Sequence, residues 1–114
     1  MKTIKEAILA VIAQGKRSVD VNGACMYRGP DGLKCIVGHM ISDEDYSPKL
    51  ENRSACSVDI SNLVQGHEGY DLLELQHCHD GALDNDFVNS FRANLRNSEY
   101  AHILEEIERE QHTQ

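Results

Sequence analysis

The apolar positions at the start of the chain repeat at the spacing of an α-helix. They stand at i, i+4, i+7 and i+8, which places them in one stripe along a helix: Ile4, Ile8, Val11 and Ile12. Thr3 and Glu6 match the capping box, in which a hydroxyl and a carboxylate satisfy each other's unpaired backbone amides. Gly15 is a natural stop for the helix. The pattern therefore predicts a first helix over residues 3–14.

Alternation of apolar and polar positions follows the first helix and is typical of β-strands. Val19 and Val21 alternate with polar residues, and Asn22-Gly23 supplies the positive φ angles of a tight hairpin turn. A second turn signal, Gly-Pro-Asp-Gly, stands at residues 29–32. We therefore expect one β-hairpin over about residues 18–34.

The rest of the chain carries apolar segments that favour helices. The segment at about 35–41 is short enough to be a buried helix or a buried strand, and Gly38 favours a helix that packs closely against a neighbour. Further helices are expected at about 59–65, 70–79, 86–96 and 98–110. The predicted fold is a single domain over 1–114. It is mainly α (α+β), with one β-hairpin in its N-terminal half.

Length and composition place the chain among globular proteins. Its 114 residues are 40% hydrophobic, which is enough for one domain with its own core. The longest apolar run falls well short of the roughly 18 residues of a membrane span. The charged start, Met1 to Glu6, argues against a secretory signal, so we expect a cytoplasmic protein. Reduced thiols are expected at all four cysteines: Cys25, Cys35, Cys56 and Cys78.

The charge balance limits the partners that the chain can have. Eleven basic and nineteen acidic residues give a net charge of −8, which argues against direct binding of nucleic acid or of an anionic membrane. A local basic pocket inside an acidic shell is still compatible with a small anionic ligand. An acidic surface can also compete for the basic groove of a DNA-binding protein.

The segment from Cys25 to Gly38 places an aromatic ring, a guanidinium and an ammonium around a glycine-rich turn. Tyr27 could stack on a planar ligand, while Arg28 and Lys34 bind its phosphate. Backbone amides of the turn could add to an anion site. The alternative is a hairpin whose tyrosine covers the core and whose cations face water.

A second polar cluster lies at residues 76–80. On a helix, Gln76, His79 and Asp80 share one face. The His-Asp pair resembles the central pair of the helical HD-type metal phosphohydrolases. That activity would also need a histidine and an aspartate from elsewhere, for which the candidates are His39, His67, Asp84 and Asp86. The alternative is a histidine bound to the backbone at a helix end.

We expect a protein without a cofactor, and the alternative is a protein that binds zinc. The zinc ligands would be Cys25, Cys35, His39 and His79. Cys35 and His39 stand one helical turn apart, and the hairpin would bring Cys25 close to Cys35. Small buried thiols without a metal are the simpler explanation of these cysteines.

The residues from Cys25 to Cys35, continued by Ile-Val-Gly-His-Met-Ile-Ser-Asp-Glu and Tyr46, resemble an uncharacterised family of small bacteriophage and bacterial proteins. Leu75-Gln76-x-x-His79-Asp80 belongs to the same signature. The resemblance covers roughly residues 3–100. The chain departs from the family at Ser42, where a proline is expected, and at His39, where the family is usually apolar.

The resemblance implies a phage-type accessory protein that acts by binding rather than by catalysis and counters a host defence or another host process. The leading hypothesis is capture of a nucleotide-derived signal. The ligand-binding residues would be Tyr27, Arg28, Lys34, Gln76, His79 and Asp80. The expected partner is a host protein or a small nucleotide-like ligand, and a homo-oligomer is compatible with the sequence.

Two alternatives to this hypothesis belong to other functional classes. The first is a protein–protein inhibitor that presents the carboxylates of the segment from Tyr100 to Glu110 to a basic host surface. The second is the HD-like metal-dependent phosphohydrolase, with His79 and Asp80 in its metal site.

Overall fold

The computed structural model describes residues 3–20, 22, 24–52, 60, 63–64 and 72–112. These residues form five α-helices: α1 (Ile4–Gln14), α2 (Ile36–Met40), α3 (Leu72–Asp80), α4 (Phe87–Arg96) and α5 (Ala101–His112). Short 3-10 helices lie at Pro30–Gly32, Pro48–Asn52 and Asp84–Asp86. The expected mainly α fold is confirmed. None of the described helices combines the length and the apolar character needed to cross a membrane.

Local sequence signals set both ends of α1. The Thr3 hydroxyl accepts a hydrogen bond from the Glu6 amide at 3.1 Å, and the Glu6 carboxylate accepts one from the Thr3 amide at 3.0 Å. Gly15 ends the helix with a φ of 73°, a left-handed conformation that glycine adopts without strain. The predicted capping box is therefore confirmed.

The helices enclose one apolar core. Along the chain α1 packs on α2, α2 on α3, α3 on α4 and α4 on α5, and α5 returns to α1. The largest fully buried apolar side chains come from every helix and from the segment between α2 and α3, and they include Ile8, Ile36, Ile60, Leu75, Phe91 and Tyr100. An apolar stripe on each helix therefore faces the same interior.

The predicted β-hairpin is wrong. Between residues 18 and 34, apart from Val21 and Gly23, which are not described, the structure has two isolated antiparallel bridges in place of strands: Val19 with Cys25, and Arg28 with Lys34. The amides of Tyr27 and Arg28, which a strand would pair with a neighbour, donate instead to the carboxylate of Glu51. The side chain of Glu51, which follows α2 in the chain, therefore takes the hydrogen bonds that a neighbouring β-strand would otherwise make.

The short segment after this loop is a helix, α2, as its glycine indicated. The sulfur of Cys35 accepts a hydrogen bond from the Gly38 amide at 3.3 Å and so caps the first turn. Gly38 lies directly against the backbone of Tyr27, where a Cβ atom would come within 1.9 Å of the Tyr27 carbonyl oxygen. This close approach fixes α2 against the preceding loop.

The remaining helices lie close to the expected segments. The helices expected at about 70–79, 86–96 and 98–110 correspond to Leu72–Asp80, Phe87–Arg96 and Ala101–His112. Of the helix expected at about 59–65, only Ile60, Leu63 and Val64 belong to the described residues. Ile60 and Val64 are buried in the core.

Candidate functional site

The predicted ligand-binding residues lie in two groups, with Tyr27 outside both. Arg28 and Lys34 face the turn that follows α2. The other group lies on the last two turns of α3: Gln76, His79 and Asp80. Tyr27 is 7% exposed and belongs to the core, a burial that does not suit the expected stacking on a ligand.

Arg28 and Lys34, the basic pair, converge on one carboxylate. Nη1 of Arg28 lies 2.7 Å from Oδ1 of Asp43, and Nζ of Lys34 lies 3.9 Å from the same oxygen. The Asp43 side chain is 83% exposed, whereas that of Arg28 is only 19% exposed. The basic pair is therefore a positively charged site, and the carboxylate that it binds within the protein, Asp43, is exposed to solvent.

Contacts on several sides hold the Arg28 guanidinium in place. Its Nη2 donates a hydrogen bond to the Ile41 carbonyl at 3.0 Å. Its Cζ lies 4.6 Å from the centre of the Tyr46 ring, within the range of a cation–π interaction. Its Nε is buried and has no acceptor within the described part of the chain. The guanidinium is thus preorganised with part of its hydrogen-bonding capacity unused.

The backbone of Lys34 is fixed by the last residue of α1. The side-chain amide of Gln14 accepts a hydrogen bond from the Lys34 amide and donates one to the Lys34 carbonyl, each at 2.9 Å. The bridge between Arg28 and Lys34 then places both cations on one side of the loop. The end of α1 therefore sets the spacing of the basic pair.

Glu51 organises the other side of this loop. Its carboxylate accepts hydrogen bonds from the amides of Tyr27 and Arg28, and from the Tyr46 hydroxyl at 2.6 Å. Burial, followed by the hydrogen bond to this carboxylate, raises the pKa of Tyr46 to about 12. Sequence analysis missed the roles of Asp43 and Glu51, because acidic residues in polar segments give no local signal of a partner so distant in the chain.

The α3 group forms a hydrogen-bonded network in the interior. Gln76 accepts a hydrogen bond from the Val37 amide at 3.2 Å and donates one to Oδ1 of Asp80 at 2.7 Å. Nδ1 of His79 lies 2.9 Å from the same oxygen. His79 is fully buried, with its ring edge-on to Phe87. This network links α3 to the start of α2, which suits a role in positioning these helices.

Asp80 is the centre of that network. Burial alone would raise the pKa of its carboxyl, but hydrogen bonds from His79, Cys25 and Gln76 outweigh burial and lower the pKa below its usual value. At Cys25, loss of water, followed by the hydrogen bond to Asp80, raises the thiol pKa to about 11. Asp80 is therefore ionised and Cys25 protonated at neutral pH, which does not favour a nucleophilic cysteine.

The residues of the zinc and metal-hydrolase alternatives have other partners in this fold. His39 Nε2 lies 3.2 Å from Oε1 of Gln14, and Asp84 pairs with Arg17 at 2.8 Å. Burial raises the pKa of the Cys35 thiol, which disfavours the thiolate that zinc binds. The described residues, which leave out His67, contain no group of three His, Cys, Asp or Glu side chains arranged around one point. Both alternatives stay predictions.

The acidic helix α5 uses much of its charge within the molecule. Lys5 of α1 lies 3.2 Å from Glu106 and 2.6 Å from Glu110. Glu108 accepts hydrogen bonds from Arg96 at 3.0 and 3.1 Å. These carboxylates tie α5 to its neighbours, so they are less available to a basic partner than the sequence suggested.

Comparison of the chain with protein families, curated proteins and solved structures finds no match. Function is therefore inferred from the chemistry of the chain's own residues.

Of the two groups, the basic pair is better suited to an external ligand, because its partner Asp43 is exposed. The polar atoms of the α3 group bind mainly to one another and to the Val37 amide.

Proposed function

We propose that this protein binds a small anionic, nucleotide-like ligand at the basic pair, as a phage-type accessory protein that counters a host defence or another host process by sequestering that ligand. The observation that carries the proposal is the convergence of Arg28 and Lys34 on the single exposed carboxylate of Asp43. Two cations held on one carboxylate form a site that another anion can enter by exchange. The host context rests on the resemblance to the phage family.

The chemistry of the basic pair suits a phosphate group. A guanidinium presents parallel N–H donors that match two oxygens of a phosphate, and an ammonium adds a compact charge. The ring of Tyr46, which is half-buried, has its centre 4.6 Å from Cζ of the guanidinium, so an aromatic ring adjoins the cation proposed to bind the phosphate. We assign no ligand contact to Gln76, His79 or Asp80, which act as the scaffold between α2 and α3.

Lys34→Gln tests the proposal with little risk to the fold. The substitution removes one cation, whereas the hydrogen bonds to Gln14 involve only the backbone of residue 34. We expect the dissociation constant for a nucleoside monophosphate to rise roughly tenfold, since hydrogen bonds to charged groups contribute about 1.5–3 kcal/mol. Isothermal titration calorimetry in a phosphate-free, low-salt buffer measures this change.

Lys49→Gln is the matched control, because Lys49 is an exposed lysine in the neighbouring 3-10 helix and its loss changes the net charge equally. We expect less than a twofold effect from it. Arg28→Gln should weaken binding at least as much as Lys34→Gln. The proposal is wrong if folded Lys34→Gln and Arg28→Gln variants both bind nucleoside monophosphates as tightly as the parent.

A further inference from the structure

We infer that the basic pair prefers ligands with a terminal, doubly charged phosphate to singly charged anions, and that Asp43 acts as a built-in competitor that lowers the affinity of every anion alike. This inference rests on the proposed function and specifies the ligand class of the same site. Three observations support it. Asp43 is exposed and has few contacts, the basic pair carries two positive charges, and a phosphate has more oxygens than a carboxylate to offer to these two cations.

Asp43 can leave the basic pair at small cost. Its side chain is 83% exposed, and within the described part of the chain its contacts are those to Arg28 and Lys34. The turn that carries it is closed by other groups, since the amides of Asp45 and Tyr46 donate to the Ser42 carbonyl at 3.1 Å each. The carboxylate can therefore move away from the cations while the turn stays intact.

The charges decide which anions can replace it. Asp43 contributes one negative charge against the two positive charges of the basic pair. A singly charged anion that replaces Asp43 leaves the site with the same net charge, so the exchange brings little electrostatic free energy. A phosphate monoester carries a charge of about −1.5 to −2 at neutral pH and so neutralises both cations. A monoester therefore replaces Asp43 more readily than a diester does.

The donors of Arg28 point to the same ligand class. A terminal phosphate presents three acceptor oxygens, whereas a carboxylate presents two. Asp43 offers the single oxygen Oδ1 to both Nη1 of Arg28 and Nζ of Lys34. A phosphate monoester can instead place separate oxygens against the guanidinium and the ammonium.

Methyl phosphate and dimethyl phosphate test the inference, because they differ mainly in the second charge. Each is titrated by NMR chemical-shift perturbation into the parent protein, into Asp43→Asn and into Glu44→Gln. Glu44 is an exposed neighbour on the same turn, so the control matches the change in net charge. We expect the parent to bind methyl phosphate at least tenfold more tightly than dimethyl phosphate.

In Asp43→Asn we expect both esters to bind about threefold to fivefold more tightly, which corresponds to the loss of one solvent-exposed ion pair. Glu44→Gln should change either affinity by less than twofold. The inference is overturned if binding depends on Arg28 and Lys34 but Asp43→Asn does not strengthen it. Equal binding of the two esters by the parent also overturns it. Either result leaves the proposed function standing, whereas absence of binding in both the parent and Asp43→Asn refutes the proposed function itself.

Discussion

Gly38→Ala is expected to remove most of the stability of the fold. The new Cβ atom would lie 1.9 Å from the carbonyl oxygen of Tyr27 and 2.7 Å from its carbonyl carbon. That backbone has little freedom to move, since the Tyr27 carbonyl accepts a hydrogen bond from Cys35 and the Tyr27 amide donates one to Glu51. We expect a loss of about 4 kcal/mol or more in the free energy of unfolding, within the range of the most damaging single substitutions.

Urea denaturation followed by circular dichroism measures this loss. Gly15→Ala is the control, because a Cβ atom at residue 15 meets nothing within 4 Å and the only penalty comes from the positive φ of 73°. That strain should cost about 1 kcal/mol. If Gly38→Ala is as stable as Gly15→Ala, α2 does not lie against the Tyr27 backbone as described.

Asp80→Asn is expected to lower the free energy of unfolding by about 2 kcal/mol at pH 7, because Gln76 and His79 lose a charged acceptor in the interior. The effect should depend on pH. The pKa of Asp80 is lower in the folded protein than the value of about 3.9 expected in the unfolded chain. The stabilisation from this carboxylate is therefore fully present above about pH 4 and is lost as the pH falls through the folded-state pKa.

Denaturation series from pH 7 to pH 3 on the parent and the variant test this dependence. The difference between the two proteins should be largest at neutral pH and shrink below pH 4. Asp84→Asn is the control, since the pKa of Asp84 is lowered too, by its hydrogen bonds with Arg17, but this carboxylate is exposed. A gap between parent and Asp80→Asn that stays constant across the pH range, or an equal effect of Asp84→Asn, would contradict the role given to Asp80.

The parts of the fold that sequence analysis predicted well depend on neighbours in the chain. The capping box and Gly15 set the ends of α1 through residues within three positions of each end. The apolar segments around residues 86–96 and 98–110 predicted helices, and Phe91 of α4 and Leu104 of α5 are fully buried. Such signals are visible in a sequence because helix geometry is local.

The parts that it predicted poorly depend on distant residues. The alternation around Val19 predicted a β-hairpin, which is wrong: the amides of Tyr27 and Arg28 bind Glu51, which stands 24 and 23 positions away. The same analysis chose Arg28 and Lys34 as an anion-binding pair without seeing that Asp43 already contacts them. The structure supplies these tertiary contacts, which no local pattern encodes.

The ion pairs from Lys5 to Glu106 and Glu110 join the first described helix to the last. During synthesis α1 leaves the ribosome well before α5, so the apolar face of α1 lacks this partner until translation of α5 is complete. A nascent chain that stops after Arg96 would also lack Tyr100 and Leu104, which are fully buried in the finished fold. Assembly of the complete core therefore waits until this acidic helix has been translated.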